Sequence, residues 1–194
     1  DVQSYDYGGI GIYTDEGSSH ITIRNNLVYH CSEAAYEHNY GRDNIIENNI
    51  FAFAGKWQLL WVNQETTIPF TFRRNIILHD RGTTLNGCMS WREGNAKMSH
   101  NLYWHTRGQL DFASLRFATW RDRHDRHSVE ADPMFVNAKG GDFRFRSTEN
   151  AKRIGFVPFD YTQAGVYGPM KPAPASYTPA PSQPSASGTI HFPF

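Results

Sequence analysis

The chain has 194 residues with 19 basic and 19 acidic side chains, a formal net charge of 0. That balance supplies no electrostatic drive toward nucleic acid or an anionic membrane, so neither is expected as a partner. There is no apolar run of roughly 18 residues to make a transmembrane helix and no visible secretory signal, and two cysteines, Cys31 and Cys88, cannot build a disulfide framework.

The length suits one body plus a tail, and 39% hydrophobic with 14% aromatic residues suits a narrow core under an aromatic exterior. The chain begins at Asp1 without Met, as a processed or truncated product would. Residues 7–13 (YGGIGIY) already read as a strand of a running repeat. Only a few residues precede them, so the first edge is expected to be covered by a second copy or by a missing N-terminal part.

Next come four segments that align without a gap, residues 15–26, 38–49, 64–75 and 90–101, each followed by a short apolar run. Their closing asparagines are Asn26, Asn49, Asn75 and Asn101, at steps of 23, 26 and 26 residues. Such a period marks a solenoid. The β-branched and aromatic residues at period two predict strands. In the first repeat these fall at 10–14, 20–24 and 27–30, with the asparagine turn between the second and third. Three strands per coil give a parallel β-helix, an all-β fold. Asn tolerates left-handed backbone angles, and the stacked asparagines are expected to form an amide ladder.

Counting back from each asparagine proposes columns about 4.8 Å apart along the axis. One holds Asp15, His38, Gln64 and Ser90; the next holds Glu16, Asn39, Glu65 and Trp91. These columns gather Asp15, Glu16, Glu37 and His38 as candidate catalytic residues. Tyr13, Tyr36, Tyr40, Arg42, Trp61 and Trp91 are the candidate substrate-binding residues. Carboxylates carry out acid/base or nucleophilic work at an anomeric carbon, and aromatic faces stack on sugar rings. A carboxylate stacked on His38 would favour its charged form. The competing reading makes residues 15–17 (DEG) a plain turn and Asp15–His38 a structural pair.

Beyond Trp104 the repeat fades. Residues 110–126 carry Leu110, Leu115, Ala118 and Trp120 at helical spacing, predicting a short helix. A Gly140-Gly141-Asp142 turn and a strand at 143–146 follow, and this section is expected to close the C-terminal end of the solenoid. Residues 1–168 form one domain, and residues 169–194 a Pro/Ala/Ser-rich tail. His124 and His127 lack a third ligand, so no metal is expected there.

The stretches GGIGIYTDEGSS, YEHNYGRDNIIENNIFAFA, FTFRRNIIL, ADPMFVNAKGGDFRFR and GFVPFDYTQAGVYG resemble the C-terminal half of bacterial right-handed parallel β-helix proteins of the pectate-lyase-like superfamily, which implies the right-handed form of the fold. The type most similar is the group around glycoside hydrolase family 141. Residues 147–151 (STENA) depart from that group's Ser-Pro-Ala segment, and its additional N-terminal coils are not represented. The resemblance implies a secreted or periplasmic carbohydrate-active protein whose partner is a polysaccharide or oligosaccharide. Hydrolysis of a plant or algal polysaccharide without a cofactor is the expected activity. A polysaccharide lyase, with Ca²⁺ and arginines neutralising a uronate, and a non-catalytic binding or structural solenoid are the alternatives.

Overall fold

The computed structural model describes residues 2–4, 7–63, 66–162 and 164. The chain divides into two units, Asp1–Tyr161 and Thr162–Phe194; the first holds the solenoid, and the Pro/Ala/Ser-rich stretch lies outside the described residues.

The repeats fold into stacked coils of three short strands. Coil 1 is β1 (Ile10–Thr14), β2 (Thr22–Arg24) and β3 (Leu27–Tyr29). Coil 2 is β4 (Ala34–His38), β5 (Asn44–Glu47) and β6 (Ile50–Ala52). Coil 3 is β7 (Trp57–Trp61), β8 (Phe70–Arg73) and β9 (Ile76–His79). Coil 4 is β10 (Thr83–Leu85), β11 (Lys97–Ser99) and β12 (Leu102–His105), with the short helix α1 (Ser90–Glu93) between β10 and β11. Equivalent strands pair in parallel and build three sheets, β1-β4-β7-β10, β2-β5-β8-β11-β13 and β3-β6-β9-β12-β14. This is a parallel β-helix of about five turns.

The asparagine ladder forms as the repeat predicts. Asn26 donates from its backbone N and from Nδ2 to Oδ1 of Asn49, both at 3.0 Å. Asn49 does the same to Asn75 at 2.9 and 3.0 Å, and Asn75 to Asn101 at 3.0 and 3.3 Å. The residue before each asparagine takes a left-handed turn, with φ 56° at Asn25 and Asn48 and 54° at Arg74 and His100. Asn49, Asn75 and Asn101 have no exposure. Their amides satisfy main-chain groups that the turn would otherwise bury unpaired.

The helix axis is filled with rings. Tyr36, Phe51, Trp61, Phe70, Phe72 and Trp91 belong to one buried cluster. Each such side chain contributes about 1.5–3 kcal/mol through burial. A second cluster lies on the opposite face of the third sheet. Ile50, Ile76 and Leu102 pack there against Phe135 and Phe143 of the hairpin β15 (Phe135–Asn137) and β16 (Asp142–Phe145), and against Ile154 after α3 (Glu149–Arg153).

Two expectations about the C-terminal end change. The solenoid runs one coil further than the repeat suggests. Phe112 bridges Leu85 in the first sheet, and β13 (Asp125–Arg126) and β14 (Val129–Glu130) extend the other two. Ser128 stands where an asparagine would, accepting from Asn101 N at 2.7 Å. The helix is also shorter than its spacing implied. α2 covers only Phe117–His124, because Leu110 and Phe112 are used by the fifth coil. Phe117 and Trp120 of α2 enter the axial cluster beside Tyr103 and plug its end, while the hairpin covers a flank instead of the end.

Candidate functional site

The first sheet positions the residues singled out for chemistry. Its strands break simple alternation, since the neighbours Ala35 and Tyr36 both join the axial core. Ala34 and Glu37 are thereby left to the other face. Ile10, Ala34, Trp57 and Leu60 make a small apolar cluster on that face. Beside it, Tyr13 pairs in register with Glu37, and Glu37 with Leu60.

Glu37 has 1% exposure, and its Oε2 has no hydrogen-bond partner. Burial, reinforced by the negative charges of Glu33 and Asp15, pushes its carboxyl up to about 7. Glu33 is itself engaged, accepting from Gly8 N at 3.0 Å and from Lys56 Nζ at 3.2 Å.

Asp15 behaves in the opposite way. It is exposed and accepts from Asn39 Nδ2 at 2.9 Å. That bond, the backbone N–H of Glu16 and the hydroxyl of Tyr13 hold its carboxyl below the usual carboxylate range. Tyr13 is 39% exposed. Burial and its hydrogen bonds to Tyr7 and Asp15 raise its phenol far above the ordinary tyrosine value. Asn63 Nδ2 in turn donates to Asn39 Oδ1 at 2.9 Å, so Asp15, Asn39 and Asn63 form a second polar column at the surface.

Asp15 also starts a turn, with Ser18 N donating to its carbonyl at 2.9 Å and Gly17 at φ 78°. Glu16 is exposed in that turn. Tyr40 and Arg42 occupy the equivalent turn of coil 2. Arg42 donates from its backbone N to Ser19 Oγ at 3.1 Å and accepts from His20 N at 3.0 Å. Gly41 between them has φ 77°, and a Cβ there would lie 2.2 Å from Ser18 O, so only glycine lets the two turns stack this closely.

Four candidates fall elsewhere. His38 stacks on Thr14 and Trp61 in register, not on Asp15. It has no exposure; Nδ1 lies 3.0 Å from Thr14 Oγ1, and its ring meets Phe70 edge-on at 5.0 Å. Desolvation lowers it to about 4 against a smaller opposing effect of the Gly41 backbone. The imidazole is therefore neutral, where the sequence columns implied a charged one. Tyr36, Trp61 and Trp91, expected to bind substrate, are 1%, 1% and 3% exposed and pack on one another and on Phe70. Tyr36 and Trp61 are core because their strand positions face the axis, and Trp91, in α1, packs onto Trp61 in the same cluster. Gln64 and Glu65, placed in the candidate columns, lie outside the described residues.

The structure thus brings together Asp15, Tyr13 and Glu37, with Tyr40 and Arg42 in the neighbouring turn. Asn39, which the sequence columns placed beside Glu16, bonds to Asp15 instead, and the structure adds Glu33 and Asn63, to which sequence reasoning gave no role. The legible signal for Glu33 was its place four residues before Glu37, immediately ahead of the strand that carries it. Among the described residues no group of three or more His, Cys, Asp or Glu is placed to hold a metal ion, and no helix is long and apolar enough to cross a membrane. No family model, curated protein or solved structure matches the chain.

Proposed function

We propose that this β-helix hydrolyses glycosidic bonds in a plant or algal polysaccharide, with Glu37 as proton donor and Asp15 as base. What carries the reading is the pairing of a carboxyl that keeps its proton near neutrality with one that does not, on adjacent coils beside the exposed phenol of Tyr13. Two carboxyls driven to opposite protonation states are the requirement for acid and base roles in one site. Glu37 would protonate the leaving oxygen as the glycosidic bond breaks. Asp15 would take the proton of the water that attacks the anomeric carbon. The inverting arrangement requires carboxyls roughly 6.5–9.5 Å apart and the retaining one about 5–5.5 Å, and the anomeric form of the released sugar distinguishes them.

A second reading, a non-catalytic carbohydrate-binding or structural solenoid, draws support from the burial of Glu37 and from the amide column that already engages Asp15. A polysaccharide panel separates the two, with reducing-end release and the ultraviolet absorbance of unsaturated uronides followed in the same samples. Reducing ends without absorbance, lost in Glu37→Gln, support hydrolysis. Absorbance moves the chemistry to β-elimination. Silence in both channels leaves the binding reading.

A further inference from the structure

A second surface lies along the corner between the second and third strands of each coil. The last residues of the second strands stack in register as Arg24, Glu47, Arg73, Ser99 and Arg126. Positive charge therefore falls on coils 1, 3 and 5, and the even coils carry an acid and a hydroxyl. Arg24 and Arg126 are exposed. The Arg73 side chain is 41% exposed and contacts Glu47 at 2.8 Å.

The turn residues beside this column add Arg74, His100 and His127, the two imidazoles stacked with centroids 4.8 Å apart. A groove of about 280 Å³ opens at one end, between Arg24, Glu47 and Arg74, and one of about 360 Å³ at the other, beside Arg126 and His127. Neither contains a residue of the Glu37 site.

We propose that this column is a docking track for a linear anionic glycan carrying one charged group on every second sugar. Two coil steps advance about 10 Å, so Arg24, Arg73 and Arg126 offer guanidinium groups at the interval of a charge repeated once per disaccharide in an extended chain. Guanidinium suits carboxylate and sulfate alike through paired N–H donors. Coils 2 and 4 add no free cation to the column, since Glu47 is bonded to Arg73 at 2.8 and 2.9 Å and Ser99 is neutral, so a polymer charged on every sugar leaves its alternate charges unmatched. Val157, bonded to the Asn48 amide through both its N–H and its carbonyl at 2.7 Å, bounds the first groove on the turn side. The track is independent of the hydrolytic reading of Glu37.

The test is retention of the full chain on immobilised hyaluronan, which bears a uronate on every second sugar. Polygalacturonate (charged on every sugar), neutral dextran and an oligo-dT strand serve as comparators. The track predicts retention on hyaluronan, weakened about tenfold in the Arg24→Gln/Arg126→Gln double variant and abolished by salt. Both positions are exposed, and an unchanged melting temperature would show that the variant is folded. Glu37→Gln should leave retention intact, and turnover that survives in that variant would strike the hydrolytic reading alone while the track stands. Equal retention on oligo-dT or polygalacturonate, or none on hyaluronan, would overturn the proposal.

Discussion

Asn101 donates from Nδ2 to Oδ1 of Asp125 across 3.0 Å, and this contact ends the asparagine ladder on a carboxyl with no exposure. The same carboxyl accepts from Ser128 Oγ and from the Tyr103 hydroxyl, each at 2.6 Å. The ladder is thereby finished inside the protein, where every amide proton has a destination.

Removing a middle rung tests the ladder. Asn49→Ala deletes an acceptor shared by two donors of Asn26 and removes the donor that satisfied the carbonyls of Ile23 and Glu47. A loss of about 1–3 kcal/mol is expected, read by urea denaturation. Asn26→Ala, at a half-buried rung, should cost less. Equal or negligible losses at both positions would remove the ladder as a source of stability.

The pH dependence of stability has two opposed contributions. Glu37 is raised in the fold to about 7 from 4.5, so it binds its proton more tightly when folded. Its contribution is full below 4.5 and is lost as pH rises through about 7. His38 and His79 are each lowered to about 4 from 6.5 by desolvation. Their contributions are full above 6.5 and are lost as pH falls through about 4. Glu37→Gln should therefore stabilise the protein at pH values above the Glu37 midpoint, by on the order of 2 kcal/mol, and leave a steeper acid limb. Denaturation series for both proteins check this, and parallel curves would place Glu37 in an environment closer to water.

Tyr13→Phe probes the coupling between phenol and carboxylate. Losing the hydroxyl removes one of the bonds that hold the Asp15 carboxyl down. The acid limb of any hydrolytic activity should then move to higher pH by a fraction of a unit, while the basic limb, governed by Glu37, stays in place. A pH–rate profile measures both limbs. Movement of the basic limb instead would reverse the assigned roles.

Trp61→Ala separates core from site. The ring packs against Phe70 and Trp91 at centroid distances of 5.1 and 5.3 Å, and its Nε1 donates to Asn63 O at 2.8 Å. Truncation should cost about 3–5 kcal/mol, seen as a large drop in melting temperature. At a temperature where the variant remains folded, saccharide affinity should change little. A selective loss of affinity with full stability would restore Trp61 to the binding surface.

The asparagine turns and the second-strand columns were readable because their spacing is locked. Thr22, Ile45, Thr71 and Lys97 keep the same offset from the ladder and indeed pair in register. The first-strand columns were not readable by the same count. The turn from first to second strand varies in length, from Thr14 to Thr22 in coil 1, His38 to Asn44 in coil 2 and Trp61 to Phe70 in coil 3. Counting backward across it put His38 over Asp15, whereas hydrogen bonding places Thr14 under His38 and Asn39 beside Asp15. The aromatic candidates failed for a related reason. A strand with two successive inward residues has no fixed parity, so period-two reasoning cannot say that Tyr36 faces the axis and Glu37 does not. The fifth coil was hidden because Ser128 replaces asparagine and α2 interrupts the repeat.

Each amide in the ladder accepts from the coil before it and donates to the coil after it, so the rungs are interchangeable couplings with one sense of direction. A 26-residue segment, such as that separating Asn49 from Asn75, carries a complete coupling of its own. Tandem duplication of that segment in the gene should lengthen the protein by one coil, about 4.8 Å, without disturbing the axial packing on either side. Solution scattering of such a duplicate would register the added length. In this architecture size is a count of copied segments, and the chain is free to grow by the same step that it already repeats.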